Sequence, residues 1–301
     1  MPERWSRWGM AVACLVLVSA AAGPAQAAPI GFNTALPLSK GELLWRLLFV
    51  TGRSGVPGMP GTRVRRLGAV HVVGYGVHPR LALFAVLPVA DAKLMSADGR
   101  ARSAAGIGDL ALFGRWTVFA KDAPGRTWRI APFFGVTLAT GEHRRADAQG
   151  PLPRFLQPGR GGTDPFFGIV VTRMGVGGGF DIEWRQDIRG TSDGIDAGDG
   201  WRLNGSWQQR LAVIGAPTAT THAFVYGLIE LGYERRSADR RRADRGTLVP
   251  ARRTAVVRPG LQFAARRFIL EGAIELPFAR TRIADVPRER WRLRAGLRMN
   301  F

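Results

Sequence analysis

Residues 290–301 read Arg-Trp-Arg-Leu-Arg-Ala-Gly-Leu-Arg-Met-Asn-Phe, and they alternate without a break. Trp291, Leu293, Ala295, Leu297, Met299 and Phe301 are apolar, while the positions between them carry arginine, glycine or asparagine. Successive side chains of a strand point to opposite faces, so this segment has one oily and one cationic face. Strands of this kind satisfy all their backbone groups only when they close into a ring. With the apolar face toward lipid and the polar face toward a lumen, that ring is an outer-membrane barrel.

The same two-residue period recurs along the chain. It predicts strands over 41–51, 63–77, 81–90, 106–120, 127–140, 165–173, 176–188, 200–213, 221–233, 254–264, 268–278 and 290–301. The first is blurred enough that a short helix also fits. The fold class expected is all-β, a transmembrane antiparallel up-and-down barrel of about twelve strands. The connectors near 52, 92, 141, 189, 236 and 279 are long, and those near 78, 122, 174, 215 and 266 are short. Alternating long external loops and short periplasmic turns are what such a barrel requires. A soluble β-sandwich or an incomplete barrel, the competing arrangements, have no reason to keep that rhythm.

Residues 1–27 have a basic start at Arg4 and Arg7, an apolar run, and the triplet Ala25-Gln26-Ala27. They read as a cleaved signal peptide; the apolar run is short for a membrane anchor. Residues 28–40 are expected to form a periplasmic lead-in and 41–301 the barrel, with a lumen plugged by 28–40 as an open alternative. The single cysteine, Cys14, lies within the signal, so no disulfide is expected after it. The formal charge is +20, but the arginines recur at strand spacing and not on one helix or motif. That argues against nucleic acid and for outer-membrane lipid, lipopolysaccharide and a small anionic solute as partners. A closing amphipathic strand ending in Phe301 resembles the insertion signal read by the barrel-assembly machinery, which becomes a further expected partner.

With apolar faces outward, the pore-lining candidates are Asp109, Arg115, Arg129, Glu183, Arg185, Arg202, Arg210, Glu230, Glu271, Glu275, Arg292, Arg294 and Arg298. Glu271 and Glu275 neighbour the strand that carries Arg292, Arg294 and Arg298, so charges of opposite sign can pair across it. Paired charges could close a packed interior; an excess of arginine could line a water-filled path that favours anions or polar aromatic acids. Trp116, Trp128, Phe166, Trp184, Trp201, Trp207, Trp291 and Phe301 are expected in interfacial girdles. His71, His78, His143 and His222 are scattered, with no pair at metal-ligand spacing. No nucleophile and base stand out, so neither an enzyme nor a cofactor is expected. The glycines from 175 to 179 open a strand, which suits a turn better than a phosphate cradle.

Gly106-Ile107-Gly108-Asp109-Leu110-Ala111-Leu112-Phe113-Gly114-Arg115-Trp116 resembles the Gly-Xaa-Gly-Asp-Leu strand opening of the MetA-pathway of phenol degradation family of transporter-like barrels. Pro259-Gly260-Leu261-Gln262-Phe263, with 268–277, is similar to the paired strands near the end of those proteins. The resemblance covers about 41–301 and implies an outer-membrane passage for small, often aromatic, compounds. It carries over no catalytic residue, and the heavy arginine content departs from a purely hydrophobic cargo. The expected function is a passive uptake channel for small solutes. The alternative is a filled barrel with a structural or surface-adhesion role, its loops at 141–163 and 235–253 meeting anionic surface sugars.

Overall fold

The computed structural model describes residues 27–215, 223–284 and 286–301. The predicted signal peptide lies outside these residues except for Ala27, as do His222 and most of the turn near 215. Twelve strands form one closed antiparallel ring. They are β1 Leu43–Gly55, β2 Arg63–His78, β3 Leu81–Met95, β4, β5 Arg126–Thr137, β6 Asp164–Gly175, β7 Gly178–Asp187, β8 Gly200–Ile214, β9 Ala223–Arg236, β10 Arg252–Ala264, β11 Phe268–Arg280 and β12 Arg288–Asn300. Strand β4 is interrupted, running through Ala101–Ile107, Ala111–Trp116 and Phe119–Ala123. Each strand pairs with its sequence neighbours, and β12 closes on β1 from Asn300↔Leu44 to Arg288↔Gly55. Phe301 extends that seam, donating its N–H to the Leu43 carbonyl at 2.8 Å.

The period-two pattern explains the ring. Phe134 (71% exposed), Trp116, Trp207, Leu231 and Leu261 stand on its outer wall, whereas Asp181, Glu183, Glu230 and Glu275 face in and are buried. An exterior this apolar is stable only against lipid. Phe166, expected in a girdle, instead points inward at 3% exposure. It packs on Phe113 and Phe133, with the Arg185 guanidinium 3.7 Å from its ring centroid.

The long loops all lie at one end and the short turns at the other, as the connector lengths predict. The stretch 91–105, expected as a loop, is mostly strand; only 96–100 connects β3 to β4. There the polarity of the pattern inverts. Beyond the apolar band Asp91 and Lys93 face outward into water, while Ala92, Leu94 and Ala104 face inward. They build a small core with Val56, Val64, Leu152 and Leu156, the last two contributed by the long loop 138–163. The break in β4 at 108–110 falls beside Pro88 of β3, which has no N–H for the ladder; its carbonyl still takes the Gly108 N–H at 2.8 Å.

Residues 27–40 do not lie outside the ring as a periplasmic lead-in. They run inside it, because Pro29, Gly31 and Pro37 favour an irregular chain whose N–H and C=O groups must find partners on the wall. From Ala27 and Ile30, packed on Met174, Tyr226, Leu228 and Ile269, the segment reaches Gly31 beside Arg258. It then passes Glu183 and Thr172 and leaves along Gly76 into β1. A Cβ on Gly76 would fall 1.9 Å from the Ser39 carbonyl oxygen, so the wall must be bare there.

Candidate functional site: the barrel lumen

The lumen has two unlike walls. On β3 to β6 the inward residues are largely aromatic and aliphatic: Phe84 stacks on Phe113 at 4.7 Å, and Phe133, Phe166 and Val170 pack around Ala35 of the internal segment. On β7 to β12 they are mostly charged or polar, apart from an apolar patch at Tyr226, Leu228 and Ile269. Arg115 joins the two, lying 4.8 Å from the Phe84 ring centroid and donating to the carbonyls of Thr34 and Leu36, the latter at 2.7 Å.

The internal segment is held by wall carboxylates, amides and hydroxyls. Glu230 accepts the Ile30 N–H at 2.5 Å and the Gly31 N–H at 3.1 Å. Glu183 accepts from Asn33 N–H and from Asn204 Nδ2. Thr172 Oγ1 takes the Ala35 N–H at 2.7 Å. Gln262 donates to the Ala28 carbonyl at 2.7 Å and to Glu271, which also receives Arg46 Nε at 2.6 Å. A buried carboxylate costs several kcal/mol unless compensated, and these backbone donors supply the compensation.

Above Gly31, toward the long loops, the lumen opens into a vestibule of about 320 Å³. Among the described residues ten arginines line it, including Arg66, Arg202, Arg258, Arg292 and Arg294, against only Glu234, Glu275 and Glu289. Glu275 is the hub: Arg258 Nε lies 2.5 Å away, Arg294 Nη2 3.0 Å and Arg292 Nη1 3.3 Å. Arg258 also reaches Glu230 at 3.6 Å and Arg292 reaches Glu289 at 2.8 Å, so the excess of positive charge in the vestibule rests on its other arginines. Arg282 and Arg288, on the loop side, have no ion-pair partner among the described residues. Arg202 Nε, Arg258 Nη1 and Arg294 Nε are buried with no hydrogen-bond partner.

The candidates thus fall into groups. Arg202, Arg292, Arg294 and Glu275 line the vestibule, Glu183, Glu230 and Arg115 grip the internal segment, and Glu271 holds Gln262 and Arg46, which donate to that segment's carbonyls. Arg185 pairs with Asp187 at 2.6 Å beneath Phe166. Arg129 pairs with Asp122 at the short-turn end, and Arg210 there lies over Phe224 at 5.5 Å. Arg298 faces inward beside Asn300, its Nε 3.3 Å from Oδ1, rather than meeting Glu271. Asp109 lies apart from the vestibule. It sits in the β4 break and accepts the N–H groups of Gly141 at 2.9 Å and Arg160 at 2.6 Å, pinning the long loop. Sequence reasoning missed Arg46, Arg66, Gln262, Arg282 and Arg288, and it left open whether residues 28–40, a Pro- and Gly-marked stretch with no alternation of its own, enter the lumen.

No family model matches the chain, and no curated protein does. Among solved structures it is similar to the COG4313 outer membrane channel from Pseudomonas putida F1, with a TM-score of 0.68 and 15% identity over 92% of this chain and 100% of that one. It is also similar to the beta domain of the Bordetella autotransporter BrkA, with a TM-score of 0.51 and 12% identity over 87% and 100% of the two chains. At these identities the likeness is one of fold. With the closed ring and the apolar exterior, it defines the class: a twelve-stranded β-barrel of the bacterial outer membrane.

Proposed function

We propose that this barrel is a passive channel for small anionic solutes, aromatic carboxylates among them. The observation that carries the reading is the vestibule, where ten arginines face three glutamates. Rings of one charge in a confined, low-dielectric space concentrate counter-ions and select by sign. The Nε groups of Arg202 and Arg294, which have no hydrogen-bond partner among the described residues, are suitable donors for a carboxylate. The aromatic wall of Phe84, Phe113, Phe133 and Phe166, with Arg115 and Arg185 over its rings, suits a flat apolar body carrying an acid group. The resemblance of 106–116 to the MetA-pathway of phenol degradation family supports the aromatic part of that class, and the arginines support the anionic part. Residues 27–40 form the constriction, so flux depends on how that segment sits.

The internal segment favours a second reading, a filled barrel with a structural role. Planar-bilayer recording from the purified, folded protein separates the two. Ion current that benzoate carries in preference to a cation of similar size supports the channel. A silent membrane, with folding verified by heat-modifiable gel mobility, supports the filled barrel.

A further inference from the structure

The outer wall carries a second cationic feature that the lumen does not explain. Toward the long-loop end, Arg53 of β1 is the register partner of Arg65 of β2, and Arg65 is the partner of Lys93 of β3. All three side chains point outward and are exposed. Three cations on three adjacent strands therefore stand directly opposite one another. Like charges in that relationship destabilise a sheet. Among the described residues none of the three has an ion-pair partner. The acidic residue of the same face, Asp91, sits one row lower, opposite Leu67.

The position of this row is as informative as its charge. Two rows nearer the barrel's middle, on the same face, come Phe49, Ala69 and Val89, and Leu67 lies between. Phe49, Leu67 and Val89 are exposed members of the apolar band. On β12 the row continues into Trp291, the register partner of Arg53; tryptophan marks the level where hydrocarbon gives way to head groups. The cations thus stand just above the acyl zone, on the side of the long external loops. A second, shorter copy lies on β8 to β10, where Trp201 is opposite Arg235 and Arg235 is opposite Arg253, above the exposed Leu231.

We infer that Arg53, Arg65 and Lys93 form a binding site for the phosphorylated head of lipid A, the membrane anchor of lipopolysaccharide. Three cations across two inter-strand spacings cover roughly 10 Å of wall, enough for a phosphorylated sugar to bridge rather than a lone phosphate. Its acyl chains would lie on Phe49, Leu67 and Val89 below. Phosphate oxygens between the cations remove the like-charge repulsion that the bare sheet carries.

The experiment uses the full barrel in detergent, titrated with purified bisphosphoryl lipid A and followed by native mass spectrometry. Monophosphoryl lipid A and phosphatidylglycerol are run in parallel. Wild-type protein should bind bisphosphoryl lipid A most tightly. Each cation near an anionic surface contributes roughly fivefold, so R53Q/R65Q/K93Q should weaken binding about a hundredfold. A charge-matched control, R240Q/R242Q/R245Q in the loop between β9 and β10, should bind like wild type. If the triple variant fails to fold, Arg65→Gln, the middle of the row, should alone weaken binding about fivefold. Equal binding by wild type and variant, an equal loss in the loop control, or equal affinity for phosphatidylglycerol would each overturn the assignment.

Discussion

Glu230 and Ile30 lie two hundred residues apart in sequence and share a 2.5 Å hydrogen bond in the middle of the lumen. Through that bond the chain preceding β1 is fastened to β9, four strands away around the ring. Gly31 follows, and a Cβ there would fall 2.6 Å from Glu230 Oε2, so any larger residue would have to displace the carboxylate. The internal segment therefore crosses the lumen, and its wall contacts set how firmly it is seated.

Removing residues 28–38 should raise single-channel conductance several-fold, and Glu230→Gln should raise it less. A charge-assisted bond is worth about 1.5–3 kcal/mol, and the amide weakens it without removing the acceptor. Planar-bilayer recording checks both. Conductance unchanged by the deletion would mean that the segment does not obstruct the path.

Glu275→Gln should destabilise the barrel by roughly 3 kcal/mol or more, because Arg258, Arg292 and Arg294 lose their shared counter-charge while remaining in a confined lumen. The gel temperature at which heat-modifiable mobility is lost reads this out. Arg129→Gln, which removes a pair with the exposed Asp122, should shift that temperature little.

The long external loops should be sensitive to acid and not to mild alkali. The Arg144 guanidinium holds the Asp193 carboxyl below the usual range, and Arg102, hydrogen-bonded to Asp147, does the same there. A carboxylate with a depressed folded pKa stabilises the fold fully above its unfolded value, about 3.9, and loses that contribution as pH falls through the folded one. Hydrogen exchange in 144–157, corrected for intrinsic rate, should stay flat from pH 8 to 5 and rise below about pH 3.9. Protection lost between pH 7 and 5 would contradict this.

Phe301→Ala should slow delivery of the barrel to the membrane more than it weakens the folded protein. Once closed, the seam at Leu43 depends on backbone bonds that survive the substitution. Pulse-chase assembly in cells compared with the melting of protein refolded in vitro separates the two effects.

The strands were legible because the membrane enforces a strict two-residue period, and the connector rhythm gave the ring its two ends. Two features escaped for physical reasons, and a third, the course of residues 28–40, stayed open. The β3–β4 extension rises past the apolar band, where water outside and Leu152 and Leu156 inside reverse the pattern. Phe166 is apolar yet inward, because the lumen has an aromatic wall that polarity alone does not reveal. The internal segment carries no period, since it is irregular chain satisfied by side chains two hundred residues away. The Glu275 cluster was visible because β11 and β12 are neighbours and their charges are opposite; Arg46, its counterpart on Glu271, lies across the closure seam, which local pattern does not reach.

The most direct test of the central claim is the reversal potential under a salt gradient, for wild type and for R282Q/R288Q. These two vestibule arginines lack ion-pair partners among the described residues, so their loss removes field without freeing a buried carboxylate. Wild type should reverse on the anion-selective side, and the double variant should move toward zero. A cation-selective or unselective wild type, or a reversal potential that the double variant leaves unchanged, would contradict the account.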